Sequence, residues 1–150
     1  MKAKSTIIGR IDQIDLPEFD MFDLGCKIDT GAAISALHCH SVKLVERDGV
    51  EHLYFKLLDK KHPQYQGEFY HTTDFRERKI KNSFGQEQTR FSLTTQVVLF
   101  GETYTTEFTL ADREKMLFPI LIGRSLLKNR FIVDVAKSNL SAKQKAKTSR

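Results

Sequence analysis

The chain has 150 residues, 40% of them hydrophobic and 11 of them phenylalanine, which suits one globular domain with an aromatic core and excludes a disordered chain. No apolar run approaches the roughly 20 residues that span a bilayer, and "MKAKSTIIGR" lacks the apolar stretch of a signal peptide. The net charge is +5, and the last fourteen residues hold Lys137, Lys143, Lys145, Lys147 and Arg150 with no acid, so the body before them is balanced. Two cysteines and no secretory leader point to a reducing, cytoplasmic setting, with a Cys26–Cys39 disulfide as the alternative.

Strand signals dominate in chain order. "STIIGRIDQIDL" alternates around Ile7, Ile11 and Ile14, interrupted at Gly9. "MFDLGCKIDT" sets Leu24, Cys26 and Ile28 on one side and runs into an Asp-Thr-Gly turn. "VKLVERDGVEHLYFKLL" places Asp48-Gly49 between two apolar stretches, a strong hairpin signal. Shorter strands are expected at "GEFYHTT" (67–73) and "RKIKN" (78–82). Two long ones in "TRFSLTTQVVLFGETYTTEFTL" turn near Gly101-Glu102, and a buried one follows at "FPILI". "GRSLLKN" predicts one compact helix before the final strand "RFIVDV". The expected fold is all-β: a single strand-rich domain over residues 1–136 with one short C-terminal helix. A solvated, mobile basic tail is expected over 137–150. As a tether, that tail suits RNA, a ribosome or a glutamate-rich protein segment.

The chemistry is concentrated in "CKIDTGAAISALHC". Ile28 anchors a strand end and presents Asp29. Thr30 hydrogen-bonds locally, Gly31 lets the backbone turn and approach closely, and Ala32 packs against another chain segment. Such a mount also occurs as ordinary turn chemistry. Paired with a second carboxylate, Asp29 shares one proton: the ionised member deprotonates water and the protonated member polarises a carbonyl. The tripeptide occurs once, so a second carboxylate has to come from elsewhere.

About ninety residues later, "PILIGRSLL" supplies an apolar strand, Gly123-Arg124, a small polar residue and two leucines. Together with "IDTGA" this resembles the retropepsins, the single-domain aspartic proteases of retroviruses. The resemblance is closer still to a small bacterial retropepsin-like family of the RimB type, some of whose members also carry the label of ATP-dependent zinc protease. Here it rests on "KIDTGAAISALH", "NSFGQEQTR", "LADREKMLFPILIGRSLL" and "FIVDV", and it runs from about residue 7 to residue 140. It implies a closed, mostly antiparallel retropepsin-type barrel and an aspartic peptidase without metal or cofactor, active as a homodimer in which Asp29 of another subunit is the second acid. It places a flap near "KNSFGQEQ", with Ser83, Phe84 and Gly85 at the tip, and makes residues 43–75 a hairpin insertion relative to the viral enzymes. Gly123 and Arg124 become the loop supporting the catalytic turn. Ala33-Ile34 departs from the family pattern and leaves Arg124 without an acid partner at that position. The resemblance also implies an acidic substrate, the glutamates added to the C-terminus of a ribosomal protein by an ATP-grasp ligase. Arg113 in "ADREKM" and Arg78 in "DFRERKIK", beside Arg76, Lys79 and Lys81, are the candidates to read it.

Cys26, His38, Cys39, His40 and His52 offer zinc-type ligands but no CxxC or HExxH spacing, and along a strand His38 and His40 face away from Cys39. Asp134 lacks the Thr-Gly mount and reads as structural. The alternatives to a peptidase are a peptide-binding module on the same fold, a zinc hydrolase using the His/Cys cluster, and a scaffold held on RNA by its tail.

Overall fold

The computed structural model describes residues 5–81, 84–112 and 117–148. The opening stretch splits at Gly9 into β1 (Thr6–Ile8) and β2 (Ile11–Leu16). Gly9 is where the segment after the final strand crosses the chain: a Cβ there would stand 2.3 Å from the Lys137 carbonyl oxygen. A single 3-10 turn at Pro17–Phe19 leads into β3 (Met21–Ile28), then β4 (Ser35–Arg47) and β5 (Val50–Leu57). Asp48 and Gly49 both take positive φ, 51° and 78°, which joins β4 to β5 by the tight hairpin the sequence predicts. Next come β6 (Tyr70–Thr72), β7 (Arg76–Lys81), β8 (Glu87–Leu99) and β9 (Glu102–Ala111), with the β8–β9 turn at Phe100-Gly101. β10 (Ile120–Ile122), α1 (Arg124–Leu127), β11 (Phe131–Val133) and α2 (Leu140–Thr148) complete the chain.

The main sheet runs β10-β3-β2-β8-β9-β4-β5-β6, and β10 also pairs with β4, so the first six strands of that path form a ring. β7 adds to the free half of β8. Most pairs are antiparallel, as expected. The pairs β10–β3, β4–β9 and β1–β11 are parallel. Alternation along the strands sends Ile14, Leu24, Cys26, Leu37, Val97 and Phe108 into the interior, where each is 1% exposed or less. The expected insertion is the outer half of β4 with β5 and β6. Leu53, Phe55 and Leu57 dock its inner face on the core.

Residues 137–148, where a tail is expected, carry α2 (Leu140–Thr148), a second helix beside the one expected. α2 has no apolar stripe to announce it, and contacts to other elements hold it. Asp12 on β2, 1% exposed, accepts the Ser141 N–H at 2.9 Å and the Ala142 N–H at 3.0 Å, which caps the helix start from outside its own chain segment. Lys145 reaches Asp15 at 2.9 Å and Asp23 at 2.7 Å. The alanine- and lysine-rich "AKQKAK" is a good helix former and is the one sequence cue to this element. No helix among the described residues is long and apolar enough to cross a membrane.

Candidate active site

The site starts where β3 ends. Ile28 is buried and its N–H donates to the Arg10 carbonyl at 2.9 Å; the next amide, of Asp29, donates to the Ile122 carbonyl at 2.8 Å. β10, arriving from late in the chain, lies between β3 and β4, which are neighbours in sequence. The end of β10 is therefore level with the start of the Asp29 turn. Within the turn Asp29 Oδ1 accepts the Gly31 N–H at 2.9 Å, and the half-buried carboxylate is oriented by its own loop. A Cβ at Gly31 would lie 3.2 Å from that same oxygen.

A second loop clamps the first. The Ala32 and Ala33 carbonyls accept the amides of Arg124 at 2.8 Å and Ser125 at 3.0 Å. The Gly123 amide donates to Oγ of the buried Ser35 at 3.0 Å. The backbones are so close that a Cβ on Gly123 would meet the Ile34 carbonyl carbon and oxygen at 2.8 Å and the Ala32 oxygen at 2.9 Å. Arg124, which lacks an acid at position 33, turns to its own chain: Nη1 donates to the Thr30 carbonyl at 3.0 Å. Asp29, Thr30, Gly31, Ala32, Gly123 and Arg124 are thus brought together in one hydrogen-bonded unit.

This unit borders a cavity of about 490 Å³. Gly31–Ile34 and Ala36 form one side and Lys79, Ile80 and Lys81 of β7 the other, with Arg90, Thr109, Leu121 and Arg124 between them. Four cations and no carboxylate are among the described residues that line it. Arg78 sits opposite Arg90 across the β7–β8 pair, but Glu107 occupies its guanidinium through two bonds of 2.8 and 2.7 Å. The Arg78 hydrogen bonds hold the Glu107 carboxyl below its ordinary range, aided by Ser92. Arg90, Ser35 and Thr109 were not legible as site residues. Each is polar within a strand; the fold brings Arg90 and Thr109 to the cavity and sets Ser35 beneath it, against the Gly123 amide.

At the tip of the β7–β8 hairpin Gly85 takes φ of 79°, and Phe84 is 87% exposed. Ser83, expected at the same tip, lies outside the described residues, and so does Arg113.

The candidate metal ligands do not converge: among the described residues no group of three His, Cys, Asp or Glu side chains is placed to hold an ion. His38 is buried and its Nε2 pairs with Asp59 Oδ2 at 2.6 Å, whereas His40 Nε2 meets the Tyr65 hydroxyl at 3.0 Å. His52 packs near His71 on β6, with ring centroids 6.0 Å apart. Cys26 and Cys39 are both buried free thiols, and burial pushes Cys39 up to about 12. β10 runs between their strands, two sheet spacings of about 4.8 Å each, which is beyond disulfide reach.

A β protein with an Asp-Thr-Gly turn clamped beneath a Gly-Arg loop is the class that these features define. The family model described as "Retropepsin-like aspartic endopeptidase RimB" matches residues 7–144, and the chain belongs to this RimB-like family. Among curated proteins it is 30% identical, over 87% of its length, to a "Probable alpha-L-glutamate ligase" of Desulfotalea psychrophila. It is 26% identical, over 88% of its length, to a protein of the same name from Parasynechococcus marenigrum. The chain spans about 28% of the length of each of these relatives. Among solved structures, Lpg0085 of Legionella pneumophila, a protein with unknown function (DUF785), superposes with a TM-score of 0.66 at 22% identity. That match covers 92% of this chain and 99% of the other, and it is a likeness of fold.

Proposed function

We propose that the protein is an aspartic peptidase that hydrolyses peptide bonds with a water activated by Asp29. The observation that carries this reading is the Asp29 turn, pinned to Ile122 and clamped by Gly123–Ser125 at the edge of a cation-lined cavity. We read the strand ring as a closed retropepsin-type barrel and the working unit as a cytoplasmic homodimer that brings two Asp29 side chains together. One Asp29 is then ionised and takes a proton from water as the hydroxyl oxygen bonds the peptide carbon. The other, protonated, donates to the carbonyl oxygen. Collapse of the tetrahedral intermediate breaks the C–N bond, and the proton taken from water passes to the leaving amine. Gly85 and Phe84 of the hairpin tip lie over bound peptide as its flap.

An acidic peptide is the substrate class that the cavity favours. Lys79, Lys81, Arg90 and Arg124 offer positive charge where side chains beside the scissile bond would sit. Curated relatives named as glutamate ligases contain a region matching this chain, which supports a glutamate-rich tail as the substrate, such as that of a ribosomal protein.

The test is cleavage of glutamate-rich and neutral peptides by the wild type and by Asp29→Asn, with a chelator present. The wild type is expected to cleave the acidic peptide, and the variant to lose about 10³-fold in rate while melting at the same temperature. Equal cleavage by Asp29→Asn, or activity lost to the chelator, overturns the aspartic mechanism. Sedimentation under assay conditions checks the second half of the reading: a monomer with full activity rules out the shared pair.

A further inference from the structure

We propose that the outer face of the β4–β5–β6 sheet is a binding surface for single-stranded nucleic acid, independent of the Asp29 site. Cross-strand register defines this face. Lys43 lies opposite Tyr54, Arg47 opposite Val50, and Tyr54 opposite His71. Leu53, Phe55 and Leu57 point the other way into the core, each 2% exposed or less, so the outer side chains stand on an anchored platform. On that platform the Tyr54 and His71 rings lie 5.1 Å apart at 30°, and Phe69, 42% exposed, is 6.2 Å from Tyr54.

Cations are held directly on these rings. Lys43 Nζ and Lys56 Nζ sit 4.6 and 4.7 Å from the Phe69 centroid, and the Arg47 guanidinium sits 5.4 Å from that of Tyr54. Glu46 and Glu51, the acids on these three strands, oppose each other on the reverse face. Aromatic faces on an antiparallel sheet, with cations beside the Phe69 and Tyr54 rings, suit a strand whose bases stack while its phosphates meet the lysines and arginine. An acidic peptide would use the charges and leave the rings without a role. The platform also stands apart from the cavity, none of whose described lining residues lies on β5, β6 or the outer half of β4.

The experiment is fluorescence anisotropy of the full chain with a labelled single-stranded RNA of about twelve nucleotides, across a salt series. Saturable binding that weakens steeply with salt is expected. Phe69→Ala should weaken it roughly ten-fold with the salt slope unchanged, whereas Phe69→Tyr, which keeps the ring, retains it. Lys43→Ala with Lys56→Ala should flatten the slope, and Asp29→Asn should leave binding intact. A duplex of the same length should bind more weakly. No saturable binding overturns the proposal. So does binding indifferent to the sheet substitutions but lost on truncation before Leu140, which would assign it to the lysines of α2. Displacement of the RNA by a glutamate-rich peptide with the same dependence on Phe69 overturns it in favour of a peptide site. Lys43→Glu, at an exposed position, tests the charges even if the Phe69 variant melts early.

Discussion

Two glycines, Gly123 beneath the Asp29 turn and Gly85 at the hairpin tip, are needed for opposite reasons. Gly123 has extended backbone (φ −98°, ψ −178°) that any residue can adopt, but a side chain there has no room beside Ile34 and Ala32. Gly85 has no described residue beyond its chain neighbours within 4 Å of its Cβ position, but its φ of 79° disfavours L side chains. One glycine serves close packing between two loops, the other the conformation of a turn. The clamp therefore fixes the carboxylate by contact, while the backbone at Gly85 sets the shape of the tip.

Alanine at each position gives the sharpest test of that contrast. Gly123→Ala is expected to cost about 3 kcal/mol in denaturant unfolding, because backbone on both sides must move, and to take peptidase activity with it. A loss below about 1 kcal/mol would show that the two loops separate easily and would break the comparison. Asp12→Ala belongs to the buried kind as well. It orphans amides at the start of α2 and should cost about 2 kcal/mol. Hydrogen exchange should then rise over 140–148 and not at the Asp29 turn. Gly85→Ala is expected to cost only about 1 kcal/mol, with the effect on activity read in KM.

The smallest effect lies at the base of the hairpin, where Arg78 braces Glu107. Glu107 has its carboxyl lowered below the usual range, so its contribution to stability is fully present above about pH 4.5 and is lost as the pH falls through the lowered value. Glu107→Gln should therefore be less stable than the wild type at neutral pH, and the gap should close in acid. A gap that widens in acid would mean that the brace does not act through the ionised carboxylate.

Much of the molecule was legible because its signals are local. The Asp48-Gly49 hairpin, the long β8–β9 pair and the buried run before Gly123 follow from turn chemistry and alternation within a few residues. Asp29, Gly123 and Arg124 were legible as motif residues, and the fold brings them into one unit. α2 was not legible, because its stability comes from Asp12, Asp15 and Asp23 on strands more than a hundred residues earlier in the chain, and no periodic stripe in "LSAKQKAKT" reports that. The engagement of Arg78 by Glu107 was equally hidden: a charge in a strand does not reveal which residue lies across the sheet.

The sequence by itself determined which segments extend, where they turn, and which carboxylate has a glycine-backed mount, since these depend on the steric and polar character of neighbouring residues. Only the tertiary structure decided what stands around that carboxylate. The insertion of β10 between β3 and β4 sets the second loop against the first, and the folding of β7, β8 and β9 brings Lys79, Lys81 and Arg90 to the cavity. Pairing between distant strands is selected by how the whole set buries its apolar faces, and that choice is not encoded in any one stretch.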